Sequence, residues 1–147
     1  MTNIVTFQIE NKRLALDVDV VERIIWAVEI TKLPGASNTV LGVINVQGKL
    51  TCVLNMRKLL NLNEKRTHID DRIVICKFIP DYQLAFLVDK VNGVVCYNEG
   101  DSLAIEGDEN NSLTRKVVKV ADELHLVLDP DHLAHCLNAE NLLAKLL

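Results

Sequence analysis

His132-x-x-His135-Cys136 is the densest group of metal-ligating side chains in the sequence. On a helix that spacing sets all three near one side of a turn. Structural zinc takes four ligands, and no second ligand cluster accompanies these three. A polar helix edge is therefore the preferred reading. A cysteine–histidine nucleophile pair has no local signature to support it. The serines are Ser37, Ser102 and Ser112, and none stands in Gly-x-Ser-x-Gly. The acidic stretch with Glu99, Asp101, Glu106, Asp108 and Glu109 lacks the Asp-x-Asp-x-Asp-Gly order of a calcium loop. It reads as a solvated surface loop. Asn110-Asn111-Ser112 has the form of a glycosylation sequon, but no secretory signal precedes it. The expectation is a chain with no catalytic residues, no metal and no cofactor.

The elements that would position any site must fit 147 residues, the size of one domain, here taken as 1–147. About half the residues are apolar, but there are only three Phe, two Tyr and one Trp. The core must be built from Val, Leu and Ile, and β-branching favours strands. Net charge is −4 and basic residues are scattered. No basic face of the kind that binds nucleic acid is expected. No apolar run approaches the roughly 18 residues of a membrane span. The four cysteines lie far apart, three of them inside apolar runs. Reduced thiols in a cytoplasmic protein fit that distribution better than disulfides.

Alternation over Ile4–Ile9 predicts a strand, with Val5, Phe7 and Ile9 on one face. Glu10–Arg13 turns the chain, and Leu14–Val18 returns. Val20–Val28 fits a short helix by spacing and a strand by β-branching. Leu33-Pro34-Gly35-Ala36 is a turn. Two apolar runs flank Gln47-Gly48 as a hairpin, and Asn55 is set to cap a short helix ending near Leu60. Residues 61–71 are loop-like. Arg72–Ile79 and Gln83–Val91 form a further hairpin about Pro80-Asp81. Asn92-Gly93 predicts another turn, and residues 98–114 a polar loop. Lys116–Val120 and Leu124–Leu128 make the last hairpin. Asp129-Pro130 starts a helix, and Ala139–Leu147 predicts another. Nine or ten short strands point to an all-β barrel or sandwich.

The two halves of the chain match each other. Val43–Asn55 aligns without gaps on Val117–Asp129, apolar on apolar. Both copies end in a capping residue, Asn55 or Asp129, before a segment carrying Leu59 or Leu133. Val5-x-Phe7-x-Ile9 matches Val74-x-Cys76-x-Phe78, and Leu14-Ala15-Leu16 matches Leu84-Ala85-Phe86. Two small barrels of this size would each have a thin core, and packing side by side would give them one in common.

Leu33-Pro34, Gly42-Val43-Ile44-Asn45-Val46-Gln47-Gly48 and Asn55-Met56-Arg57 stand in the order of the signature stretch of CheW-like domains. Leu84–Val95, with Val88-Asp89, resembles the second signature. The likeness runs from about Val5 to Leu133. It implies an all-β fold of two five-stranded SH3-like barrels packed side by side, without catalytic residues or cofactor. The resemblance further implies an adaptor that docks on the regulatory domain of the histidine kinase CheA and on the cytoplasmic tip of a chemoreceptor. Such a protein would be cytoplasmic and recruited to membrane receptor arrays.

The family's contact positions carry over where the motifs match. The apolar-x-Glu-Ile segment falls on Val21-Glu22-Arg23-Ile24, with Arg23 where an acid is usual. The glycine that opens the Gly-Val-Ile-Asn motif is Gly42. These imply kinase contact by Val21, Arg23, Ile24 and Gly42. The arginine of the Asn-Leu-Arg-Gly motif falls on Gln47, the implied receptor contact, and Gln lacks both the fixed charge and the donor fork. Asn55 replaces the usual Asp. Such departures leave open a divergent adaptor serving a pilus-type or other chemosensory kinase. A small-barrel enzyme is a more distant alternative, which a deep pocket with converging polar groups would favour. Val21, Ile24, Ile25 and Trp26 pose a separate question. Either one side is exposed as an interface, or the segment crosses between barrels and is buried on both faces.

Overall fold

In the computed structural model, residues 1–35, 38–77, 83–104 and 113–138 are described. The Pro80-Asp81 turn, the acidic positions 105–112 with the sequon, and the helix expected over 139–147 lie outside them. The chain runs β1 (Thr2–Ile9), β2 (Lys12–Asp17), a 3-10 turn (Val18–Val20), β3 (Val21–Trp26), β4 (Val40–Val46), β5 (Lys49–Leu54) and α1 (Met56–Leu59). It continues with β6 (Arg72–Cys76), β7 (Gln83–Val88), β8 (Lys90–Tyr97), a 3-10 turn (Glu99–Asp101), β9 (Ser102–Ala104), β10 (Thr114–Val120), β11 (Glu123–Leu128) and α2 (Pro130–Asn138).

The strands form two sheets, in the orders β3-β6-β7-β5-β4 and β8-β1-β2-β11-β10-β9. The expected pair of five-stranded units is present, and the short β9 adds a sixth strand to one. Each unit contains one parallel contact, β5 with β7 and β11 with β2. The units exchange strands: β3 follows β2 in the chain but pairs with β6, and β8 follows β7 but pairs with β1.

The repeat holds in register. Val43 pairs with Cys52 and Val46 with Lys49, as Val117 pairs with Leu126 and Val120 with Glu123. The bulge between Val40 and Gly42 recurs between Thr114 and Lys116. Cys52 pairs with Leu84 as Leu126 pairs with Leu14. Asn55 N–H donates to the Thr39 carbonyl at 2.8 Å, and Asp129 N–H to the Leu113 carbonyl at 2.9 Å. The exchanged strands follow the same rule: Val21 opposite Cys76 corresponds to Val91 opposite Phe7, and Ile24 opposite Val74 to Val94 opposite Val5.

Three apolar clusters result. The largest draws on both sheets, with Phe7, Leu14, Leu16, Leu54, Leu84 and Phe86 fully buried among its members. The Phe7 and Phe86 rings meet at 5.4 Å between centroids. Burying each such ring stabilises the fold by up to about 3 kcal/mol. Each sheet also has its own smaller cluster. One is Ile44, Val53, Ile73, Ile75 and Ala85; the other is Ile4, Val118, Val127, Ala15 and Tyr97.

One expectation is decided and two are revised. Of the two readings of Val20–Val28 the strand holds, over Val21–Trp26, which pairs with β6 and carries Val21, Ile24 and Ile25 half-buried. Asn92-Gly93 is not a turn. It is a bulge inside β8, where the register shifts opposite Thr6 and Phe7, and Thr6 Oγ1 donates to the Gly93 carbonyl at 3.1 Å. A bulge takes one extra residue without reversing the chain; the chain bends at Asp89, where it passes from β7 in one sheet to β8 in the other. The stretch 98–114, expected as loop, contains a 3-10 turn and β9, which pairs with β10 through Leu103 and Val117.

Candidate functional site

The β4–β5 hairpin closes on Gln47 (φ 51°) and Gly48 (φ 83°). Two successive left-handed residues make the turn whose twist matches the flanking strands. Gly48 N–H donates to Asn45 Oδ1 at 2.8 Å, fixing the turn. This holds Gln47 exposed at the tip. Beside it runs β3, where a bulge at Glu22 shifts register between Val21 and Arg23. The two elements enclose a hollow of about 70 Å³ lined by Glu22, Arg23, Val46, Gln47, Lys49, Ile75 and Gln83. Glu22 Oε2 accepts from Gln83 Nε2 at 2.5 Å, and the Gln83 Oε1 accepts from Thr51 Oγ1 at 3.2 Å.

Arg23 and Gln47, assigned to different partners from sequence, thus face one hollow. The other three expected contact residues are placed differently. Val21 and Ile24 are half-buried and pack against the core common to both sheets. Gly42 is buried: a Cβ there would sit 2.2 Å from the Thr31 carbonyl oxygen. The missing side chain lets Thr31 and Val43 exchange backbone hydrogen bonds of 2.9 and 2.8 Å. Gly42 therefore leaves room for the neighbouring backbone. Val21, Ile24 and Ile25 are half-buried, the first two against the common core and Ile25 against the sheet's own cluster, so the segment is partly covered on both faces. Trp26 alone of the four is exposed, at 59%, with the Arg72 guanidinium 3.0 Å from its ring centroid.

Sequence reasoning missed a second feature, the meeting of the two signature segments. Arg57 donates through Nη1 to Glu10 Oε1 at 2.6 Å and through Nη2 to both Asp89 oxygens at 3.0 Å. Glu10 N–H donates to Asp89 Oδ2 at 2.7 Å. Lys65 Nζ lies 3.7 Å from both Asp89 and Asp71. Burial alone would raise the Asp89 carboxyl, but the Glu10 N–H, Arg57 and Lys65 outweigh it and hold it below the ordinary value. The cluster ties the β1–β2 turn to α1 and the β7–β8 turn. Its signal in the sequence was an Arg and an Asp each standing directly after buried apolar runs.

The same charged groups line a groove of about 770 Å³ whose walls include Val28, Ile30, Leu41, Met56, Leu87 and Ile69. Arg57, Lys65, Asp71 and Asp89 are paired with one another there, so they do not converge on a substrate position. Among the described residues no three metal-ligating side chains lie together. In α2, His135 is exposed while His132 and Cys136 are half-buried. No described helix is long and apolar enough to cross a membrane.

A model of the CheW-like domain matches residues 3–137. The chain belongs to that family. It is 31% identical over 129 residues to a protein of Thermotoga maritima named chemotaxis protein CheW, covering 87% of this chain and 84% of that one. A chemotaxis protein CheW of Bacillus subtilis is 30% identical over 128 residues, covering 85% and 81%. The crystal structure of the scaffolding protein TtCheW from Thermoanaerobacter tengcongensis has the same CheW-like fold. It superposes with a TM-score of 0.78 at 23% identity, covering 87% of this chain and 88% of that one.

Proposed function

We propose that this CheW-like chain is a non-catalytic adaptor of chemotaxis-type signalling. It would couple the regulatory domain of a histidine kinase of the CheA type to the cytoplasmic tip of a chemoreceptor. The observation that carries the reading is family membership over nearly the whole chain, with curated relatives that are named chemotaxis proteins. The mutual pairing of Arg57, Lys65, Asp71 and Asp89 in the groove fits a binding role better than catalysis. The mechanism is linkage: the adaptor stabilises one kinase–receptor arrangement, and receptor ligands shift that equilibrium. A protein with this role works in the cytoplasm and is recruited to membrane receptor arrays, as one domain over 1–147.

Within this reading β3 is the kinase side, with Arg23 as the exposed contact, Val21 and Ile24 as its packed base, and Gly42 as a backbone determinant. Gln47 is the receptor contact. Purified kinase regulatory domain and a soluble receptor tip test it by titration against the full chain. Binding to both supports coupling. Binding to the kinase alone points to an adaptor for a different receptor class, such as a pilus-type pathway, and binding to neither refutes the proposal.

A further inference from the structure

The hollow between β3 and the β4–β5 turn has an internal counterpart, because the repeat is exact in register. Glu22, Arg23, Val46, Gln47, Lys49, Ile75 and Gln83 correspond to Asn92, Gly93, Val120, Ala121, Glu123, Thr6 and Arg13. Both turns share their geometry, with φ of 51° at Gln47 and 50° at Ala121. Their charges differ. In the second unit Arg13 and Glu123 form an ion pair at 3.3 Å, and Gly93 and Ala121 offer no functional side chain. That position is electrically self-satisfied. In the first unit Glu22 accepts a hydrogen bond from the neutral Gln83 amide and keeps its charge, so the lining carries two cations and one anion. The Arg23 guanidinium and the Lys49 ammonium have no hydrogen-bond or ion-pair partner among the described residues.

We infer that this hollow is a docking point for a carboxylate on an acidic segment of a protein partner. The Arg23 and Lys49 side chains supply charge from two sides, the Gln47 amide donates a hydrogen bond, and Val46 and Ile75 form the apolar base. A hollow of about 70 Å³ has room for a single carboxylate head. Arg is suited to carboxylates through its planar fork of donors. This deepens the adaptor reading and alters it in one respect, since Arg23 and Gln47 then meet a single partner; it rests on that reading for which protein carries the acid, but not for the chemistry of the hollow.

The chemistry is tested on the full chain without any natural partner. An acetylated hexapeptide of alternating leucine and glutamate is titrated while the backbone amides are followed by NMR, beside the same peptide with glutamine for glutamate. The glutamate peptide shifts the amides of Arg23, Gln47 and Lys49, and added salt weakens it. R23E and K49E each weaken it by about tenfold, the equivalent of one lost charge-assisted contact, while R13E does not. Equal shifts from the glutamine peptide, or unchanged binding by R23E, overturn the inference. The kinase domain and receptor tip are titrated in parallel. If wild type binds one of them and R23E and K49E bind it equally well, the inference fails and the adaptor reading stands. If wild type binds neither, the adaptor reading fails, and the peptide result still decides the hollow. Amide spectra of both variants confirm that these exposed substitutions leave the fold intact.

Discussion

The two units have the same strand register, the same bulges and the same turn conformation, yet their interiors are not alike. The sheet built on β6 and β7 has an interior lined by Ile44, Val53, Ile73, Ile75 and Ala85, with Leu41 and Leu87 against it. At the corresponding places the sheet built on β1 and β2 carries Arg115 for Leu41 and Asp17 for Leu87, and these two pair with each other. It also carries Tyr97 for Ala27 and a buried His125 for Thr51. Among the described residues, all three buried side-chain atoms without a hydrogen-bond partner lie in this second unit: Asp17 Oδ1, Tyr97 OH and His125 Nδ1. Register belongs to the backbone and the apolar pattern, and both copies retain it. Polarity at a given position is free to diverge as long as each unit still closes and the common core is filled.

The largest break in this equivalence is at Gly42 and Lys116, which occupy the same bulge. Gly42 has the Thr31 backbone where a Cβ would go. Lys116 has an open path, with its ammonium 4.9 Å from the Tyr97 ring centroid and 3.7 Å from Glu99. G42A is expected to cost on the order of 3 kcal/mol, since backbone rather than a flexible side chain must move. For a chain of this size the melting temperature falls by about 10 °C. K116A is expected to cost about 1 kcal/mol, since its Glu99 partner is exposed although the Lys116 side chain is largely covered. Thermal melts of the two variants check the pair of values. A G42A protein as stable as wild type would mean that residues 30–32 are not held against β4.

Next in size is the Arg57 cluster, which has no counterpart because Asp131 stands where the repeat would put a second Arg57. Arg57 is largely buried and Asp89 partly so. R57A leaves the Asp89 carboxylate without its main partner and is expected to cost about 2 kcal/mol, below the figure for a fully buried pair because solvent reaches the site. R57K restores charge but not the bidentate geometry and recovers part of the loss. Asp89 is held below its ordinary value of 3.8, so its contribution is complete above that pH. It is lost as pH falls through the lower folded-state value. D89N should flatten the acid limb of the stability curve there. Urea melts at a series of pH values would show this, and an unchanged acid limb would assign acid sensitivity to other carboxylates.

His125 separates the units in a different pH window. Burial disfavours its imidazolium; neighbouring Glu123 opposes this, and the pKa remains lowered from 6.5. The unfolded chain therefore binds the proton more readily. Stability from this residue is complete above about 6.5 and declines as pH falls toward the lower folded-state value. H125T installs the residue of the other unit, where buried Thr51 is satisfied by Gln83. The variant should lose the slope between neutral and mildly acid pH and keep the Asp89 limb. Retention of the neutral slope in H125T would place the titrating group elsewhere.

Much of the fold was legible because the periodicity that defines strands is a property of neighbouring residues. Val43–Asn55 and Val117–Asp129 matched by apolar position alone, and their pairing register is the one that match implies. The exchanged strands were harder. Val21–Trp26 matches Val91–Cys96 at the same spacing that links Leu14 to Leu84, but the polar pair Asn92-Gly93 imitated a turn. Only the neighbouring strand shows that it is a bulge. The site was less legible still. Arg23 and Gln47 stand on opposite edge elements of the sheet order, and only the folded structure shows that they line one hollow. The Thr31 backbone passes where a Gly42 Cβ would stand, a crossing that no local pattern announces.

The smallest predicted effect is also the one that best separates fold from function. Leu50 and Leu124 occupy the same place in the two units, one residue after the charged position that follows each turn. Both are exposed, at 44% and 61%. An exposed leucine contributes little to stability, so L50Q and L124Q should each change it by less than about 0.5 kcal/mol. In sequence Leu50 follows Lys49 of the hollow, and Leu124 follows the self-paired Glu123. If the first hollow is where a partner docks, L50Q should weaken that partner about threefold through lost apolar contact at the rim, while L124Q leaves it unchanged. Titration of the kinase domain and receptor tip against both variants measures the difference. Equal effects from the two leucines would mean that a partner spans both units, and equal absence of effect would confine docking to the polar groups of the hollow. A loss confined to L124Q would transfer the docking surface to the second unit.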